Sequence, residues 1–476
     1  MRAFLGCFFA VVLVAAAQGA ADFKGRILPK VACEADATQT YAIYVPSAYS
    51  PEKKWPVIFC FDPGARGTAP VERLQSAAEK YGYIVAGSLT SRNGPVAANI
   101  AAMQAMVNDV NAHLAIDPNR LYAAGLSGGA RVATQMALGG LAKGVIACSA
   151  GFPDPEEIPG RVPFVFFGTA GTEDFNYGEM KRLDSDLTDR KAAHRIVVFN
   201  GTHEWAPVAL LAEAVEWLDL QAMRTGARPR DEALIQAALQ TRLAAVPAAP
   251  GPERWLALRA LTADLQGLTD TRAYEQQVKE LGAARSVKDW QKNELALGRR
   301  EEAQREKLED LAVGGSAAAQ RKFAAELRQA ADAAEDTGER RLARRVITGF
   351  LMSGRDATRG LFEQKDYATA ADRLELEVAL RPGQPRTWYD LARAHALDGS
   401  KPRALEALKQ AVAAGFHDTP RAEADPAFAK LVGDPAFQEL LVAMKTTAAI
   451  APPETDLDDG RPLRGGRGQQ EGRRKN

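Results

Sequence analysis

Ser127 stands in the run Gly125-Leu126-Ser127-Gly128-Gly129, a G-x-S-x-G pattern. A serine in this pattern becomes a nucleophile when a strand and a helix present it on a sharp turn. The flanks supply both. Arg120-Leu121-Tyr122-Ala123-Ala124 is a short apolar run suited to a buried strand. The stretch from Ala130 to Leu138 carries helix formers with apolar residues three and four apart. Side chains at positions 125 and 129 would clash across such a turn, so glycine is required there. The turn exposes the serine hydroxyl and aims the Gly128 N–H at the place where an oxyanion would form.

A serine hydroxyl alone is a weak nucleophile and needs a base and an acid to orient that base. The chain has five histidines. His113 falls inside a helical pattern, His194 opens a strand-like run, and His395 and His417 lie far downstream. His203 directly follows the apolar strand pattern Ile196–Phe199, in the loop Asn200-Gly201-Thr202-His203-Glu204-Trp205. It is the expected base. The acid should follow the strand pattern Val162–Phe167, which ends in Gly168-Thr169-Ala170-Gly171-Thr172-Glu173-Asp174. Asp174 is the expected acid and Glu173 the alternative. A second oxyanion donor should come from the loop Asp62-Pro63-Gly64-Ala65-Arg66-Gly67, after the strand pattern Val57–Phe61. Pro63 has no N–H to donate, which leaves Gly64 or Ala65. Asp62 must turn away from an oxyanion, either to cap the next helix or to pair with Arg66.

Tyr41-Ala42-Ile43-Tyr44-Val45-Pro46-Ser47, Trp55-Pro56-Val57-Ile58, Ile116-Asp117-Pro118-Asn119-Arg120 and Gly201-Thr202-His203 together resemble secreted esterases of the feruloyl-esterase and polyhydroxybutyrate-depolymerase type. The resemblance covers about the first half of the chain. It implies an α/β-hydrolase domain with a mostly parallel sheet, and ester hydrolysis through an acyl-enzyme. It gives Ser127, Asp174 and His203 the roles of nucleophile, acid and base, in the chain order of that superfamily. Prolyl-oligopeptidase-like peptidases share the topology, so an ester or a peptide substrate both fit. A non-catalytic binding protein with a degenerate hydrolase domain is the other alternative.

Equal numbers of basic and acidic residues, 60 each, argue against nucleic acid or an anionic membrane surface as the main partner. Arg2 followed by an apolar stretch and small residues reads as a signal peptide over residues 1–20, and the expectation is an exported protein, periplasmic or extracellular. That stretch is too short for a comfortable membrane span, and no span is expected in the mature chain. Cleavage would leave Cys33, Cys60 and Cys148, the last two in buried strand patterns. The chain shows no metal-ligand cluster and no phosphate loop, so neither a metal nor a cofactor is expected.

The hydrolase domain is expected over residues 22–226. Beyond it strand patterns vanish and an all-α half begins. Pro229, Pro247, Pro250 and Pro252 mark a linker zone, and 227–340 reads as a helical linker region. Ala370, Leu374 and Val378 recur 34 residues later as Ala404, Leu408 and Val412. That period resembles tetratricopeptide repeats, expected over 341–445, with a disordered tail over 446–476. Glu377 stands where such repeats carry a small residue. The resemblance implies a protein or peptide partner at the helices. Two recognisable copies need neighbouring helices to complete a stable stack.

Overall fold

The computed structural model describes residues 23–448, apart from Pro155 and Glu157. The signal-peptide expectation and the expected tail lie almost wholly outside these residues. The chain divides into two compact units, one ending at Gln291 and the other beginning at Lys292. No helix among the described residues is long and apolar enough to cross a membrane.

The first unit is built on an eight-stranded sheet. Its strands are β1 (Ile27–Ala32), β2 (Thr40–Tyr44), β3 (Trp55–Phe61), β4 (Ile84–Ser88), β5 (Ile116–Leu126), β6 (Gly144–Cys148), β7 (Val165–Gly171) and β8 (His194–Phe199). They lie in the order β1-β2-β4-β3-β5-β6-β7-β8. β1 and β2 pair antiparallel, β2 joins β4 antiparallel, and all remaining pairs are parallel. This is the mostly parallel sheet expected of an α/β-hydrolase.

Parallel strands need crossovers, and helices supply most of them: α1 (Thr68–Tyr81), α2 (Val96–His113), α3 (Gly128–Leu138) and α4 (Tyr177–Asp189); α5 (Val208–Arg224) follows the last strand and packs back on the sheet. Both faces of the sheet are therefore covered, so its strands must be apolar on both sides. β3 shows how. Val57, Phe59 and Phe61 enter the core shared with α2, α3 and α4, while Ile58 and Cys60 enter the one shared with α1 and α5. Each is fully buried. Cys33, Cys60 and Cys148 are buried free thiols.

Three further helices belong to this unit: α6 (Glu232–Ala244), α7 (Pro252–Leu265) and α8 (Arg272–Ala283). Leu220 and Met223 of α5 pack with Ile235, Ala238, Leu261 and Leu265. Asp264 of α7, fully buried, pairs with Arg195 of β8 and accepts from Arg242 Nε of α6 at 2.7 Å. Arg242 also donates to Glu216 of α5 at 2.8 Å. Arg228 pairs with the buried Asp219 of α5. The expected boundary at 226 is thus corrected. A cut there would expose apolar α5 side chains, take Arg228 from the buried Asp219, and leave Arg195 with Glu213 of α5 as its remaining ionic partner. Prolines around 229–252 punctuate helices that pack against α5 and, through α7, against β8; they do not open a linker.

The second unit is helical. α9 (Arg285–Gly314) spans the division between units and ends at the Gly314-Gly315 pair. It is followed by α10 (Ala317–Ala331), α11 (Gly338–Glu363), α12 (Tyr367–Leu380), α13 (Pro385–Leu397), α14 (Lys401–Ala413), α15 (Thr419–Ala424) and α16 (Pro435–Ala448). The residues of the 34-residue spacing fall on α12 and α14. Ala370, Leu374, Val378, Ala404 and Leu408 are buried in one cluster, with Val412 packed against it. Leu376 and Leu380, on the other side of α12, join α10 and α11 in a second cluster. Glu377 is accommodated by Gly354 of α11. A Cβ there would overlap the Glu377 carboxylate, so the small residue sits on the facing helix instead.

Candidate active site

Ser127 sits between β5 and α3 with φ 52° and ψ −122°, a conformation that costs a β-carbon-bearing residue about 1–3 kcal/mol. Its surroundings hold it there. The Ser127 N–H donates to Cys148 O at the end of β6 (2.8 Å), and Ser127 O accepts from Ala130 N (2.9 Å) and Arg131 N (3.2 Å). A Cβ at Gly125 would overlap the Gly129 carbonyl, and one at Gly129 would overlap the Phe61 carbonyl. Both glycines of the motif are therefore demanded by close backbone approach. The serine is only partly buried.

Asp174 follows β7 and is fully buried. Its Oδ1 accepts from the His203 ring at Nδ1 (2.8 Å) and from the Asn176 N–H (2.8 Å). Its Oδ2 is buried without a hydrogen-bond partner. A carboxylate can only accept, so the Nδ1 position carries the proton and Nε2 is left as an acceptor. The Phe175 ring stacks on the imidazole, with centroids 4.0 Å apart and planes 25° from parallel. Carboxylate and phenyl ring together fix both the tautomer and the plane of the base. Glu173 follows a different path, its N–H donating to Gly201 O at 2.9 Å. Asp174 is the acid that meets the ring.

Ser127, Asp174 and His203 follow β5, β7 and β8, so all three lie at the carboxyl edge of the parallel strands, where open α/β sheets place their ligands. The segment after β6 connects them. Cys148 O accepts from Ser127 N, while Ser149 Oγ donates to Glu204 O at 3.3 Å, one residue after His203. Asn176 Nδ2 donates to Ser149 O at 2.8 Å. The Ser127 hydroxyl and the His203 ring are not hydrogen-bonded to each other in this structure. Such contacts commonly tighten only when substrate binds. Beside the turn, Arg131 of α3 donates to Glu179 of α4 at 2.7 Å and to Phe152 O, while Glu179 accepts from Gly151 N. This braces the wall next to the serine.

The Gly128 N–H opens α3 and bonds no acceptor among the described residues, which suits an oxyanion donor. Gly64 and Ala65 are a correction. The Gly64 N–H donates to Asp62 Oδ1 (2.9 Å) and the Ala65 N–H to Asp62 O (3.1 Å). Both amides are consumed by the loop's own turn. Asp62 does turn away as required. Its carboxylate pairs with Arg66 Nε at 2.8 Å and accepts from Trp205 Nε1 at 2.9 Å. The sequence reading did not single out Phe175, Asn176 or Trp205. Each lies one or two residues from a site residue, and that adjacency was the available signal.

No family model and no curated protein sequence matches the chain. Among solved structures, an esterase from Pyrobaculum calidifontis aligns over 42% of this chain and 86% of its own, at 11% identity and a TM-score of 0.36. Est1E from Butyrivibrio proteoclasticus aligns over 41% and 98%, at 14% identity and a TM-score of 0.32. A fluorophosphonate-binding serine hydrolase of Staphylococcus aureus aligns over 38% and 92%, at 11% identity and a TM-score of 0.32. The fold is read from the strand order and the turn at Ser127.

Proposed function

We propose that the protein is an exported serine hydrolase that cleaves carboxylic esters through an acyl-enzyme. The observation that carries this reading is the contact of the buried Asp174 with His203, 2.8 Å long, at the same sheet edge as the strained turn of Ser127. His203 Nε2 takes the Ser127 proton as Oγ attacks the ester carbonyl. The charge that develops on the carbonyl oxygen is met by the Gly128 N–H. Asp174 keeps the ring oriented and stabilises the imidazolium. The same proton then passes to the departing alcohol, and an acyl group remains on Ser127. Water enters along the same route and loses its proton to His203 as its oxygen bonds the acyl carbon; the bond to Ser127 Oγ then breaks, His203 returns that proton to Oγ, and the acid leaves. Phe175 keeps the ring in one plane through both half-reactions.

The experiment is a panel of p-nitrophenyl esters and peptide p-nitroanilides on the purified full chain, run beside Ser127→Ala. Ester turnover by the wild type alone supports the reading. Turnover of anilides without esters would replace it with a peptidase, and equal turnover by Ser127→Ala would end it.

A further inference from the structure

The corrected fate of Gly64 and Ala65 leaves a hydrolase turn with one evident oxyanion donor, and a single donor is a weak stabiliser of a tetrahedral intermediate. The loop after β4 fills the gap. Asn93 stands there, its N–H donating to Pro63 O at 2.8 Å. One residue earlier, Arg92 forms an isolated antiparallel bridge with Gly64. These contacts tie the β4 loop to the β3 loop and fix where the Asn93 side chain begins. Its carboxamide packs on Gly128, the residue after the serine. A Cβ built on Gly128 would overlap Asn93 Oδ1 and lie 3.1 Å from Cγ and 3.7 Å from Nδ2. The carboxamide therefore takes the volume that a side chain at position 128 would fill, next to the free N–H of that same residue. The general motif leaves this position open to any residue. Here glycine is what admits Asn93. The carboxamide makes no hydrogen bond with the described residues and is open to solvent, so it is free to turn its Nδ2 donor toward a substrate.

We infer that Asn93 is the second oxyanion donor, its carboxamide N–H acting together with the Gly128 N–H on the carbonyl oxygen of the substrate. This rests on the serine-hydrolase reading above. A side-chain donor is chemically sufficient for the task, since a neutral amide N–H stabilises an alkoxide without needing a proton transfer of its own. The arrangement also gives Gly128 two functions: its amide donates and its missing side chain makes room for the partner donor.

The test is steady-state hydrolysis of p-nitrophenyl acetate by the full chain and by Asn93→Ala, Asn93→Asp, Gly128→Ala and the double variant Asn93→Ala/Gly128→Ala, with folding checked by circular dichroism. Asn93→Ala should lower kcat by about 100-fold or more with KM changed less than about threefold, the signature of an interaction made in the transition state. Asn93→Asp should lose at least as much, because a carboxylate cannot donate and repels the oxyanion. Gly128→Ala displaces the carboxamide, so the double variant should be little worse than either single one. Folded Asn93→Ala with kcat within about threefold of wild type overturns the inference, and Ser127→Ala in the same assay shows whether the serine reading still stands. Wild-type turnover unaffected by Ser127→Ala overturns both.

Discussion

Trp205, two residues after His203, donates its indole N–H to the buried Asp62 carboxylate at 2.9 Å. One side chain thereby ties the histidine loop to the loop after β3. Asp62 keeps Arg66 and the Gly64 N–H as partners if the indole is lost. Trp205→Phe should therefore cost about 1.5–3 kcal/mol of stability, the range for losing a hydrogen bond to a charged group, and leave the fold intact. The histidine loop would lose its tether, and kcat should fall about tenfold because a small misplacement of a base is costly. Thermal unfolding and ester kinetics on this variant check both expectations.

Ser127, Asp174 and His203 were legible as candidates because each follows an apolar strand pattern, and chain order then separated His203 from the other histidines. The oxyanion side was not. Whether the Gly64 N–H points outward depends on how the Asp62 side chain folds back over its own turn, which no local pattern encodes. Asn93 is remote from Ser127 in sequence, and only the strand order, which sets β4 beside β3 and β3 beside β5, brings its loop to the turn. The end of the first unit was misread for a related reason. Proline spacing around 229–252 looks like a linker, whereas the buried Asp264 that anchors α7 shows only in three dimensions.

That anchor makes a prediction about truncation. A chain of residues 23–291 should fold and hydrolyse p-nitrophenyl acetate. A chain of 23–226 should be poorly soluble or unfolded, because it bares the α5 face that packs on α6 and α7 and takes Arg228 from the buried Asp219, a loss that costs about 3–5 kcal/mol for a buried ion pair. Expression, circular dichroism and activity of the two fragments decide it. A well-folded, fully active 23–226 fragment would show that α6–α8 are dispensable.

Glu377 gives the second unit a pH dependence. Burial pushes its carboxyl from 4.5 up to about 7, against the opposing pull of Arg373 and Arg355 and with Asp390 adding to the rise. The folded unit therefore holds a proton that the unfolded chain has already released between these values. Stability from this group is fully present below about pH 4.5 and declines as pH rises through about 7. The melting temperature of wild type relative to Glu377→Gln should fall across that window, and a pH-independent difference would contradict the assignment. Gly354→Ala should displace this carboxyl group from its place against α11 and so weaken the pH dependence that Glu377 confers, read in the same melting series.

The central claim is that Ser127 is a nucleophile activated by the Asp174–His203 pair. Its most direct measurement is mass-spectrometric mapping of a fluorophosphonate adduct on the purified full chain, with Ser127→Ala and His203→Ala alongside. The account predicts one adduct, on Ser127, absent from Ser127→Ala and formed at least about a thousandfold more slowly in His203→Ala. An adduct on another residue, or undiminished labelling of folded Ser127→Ala, would contradict it.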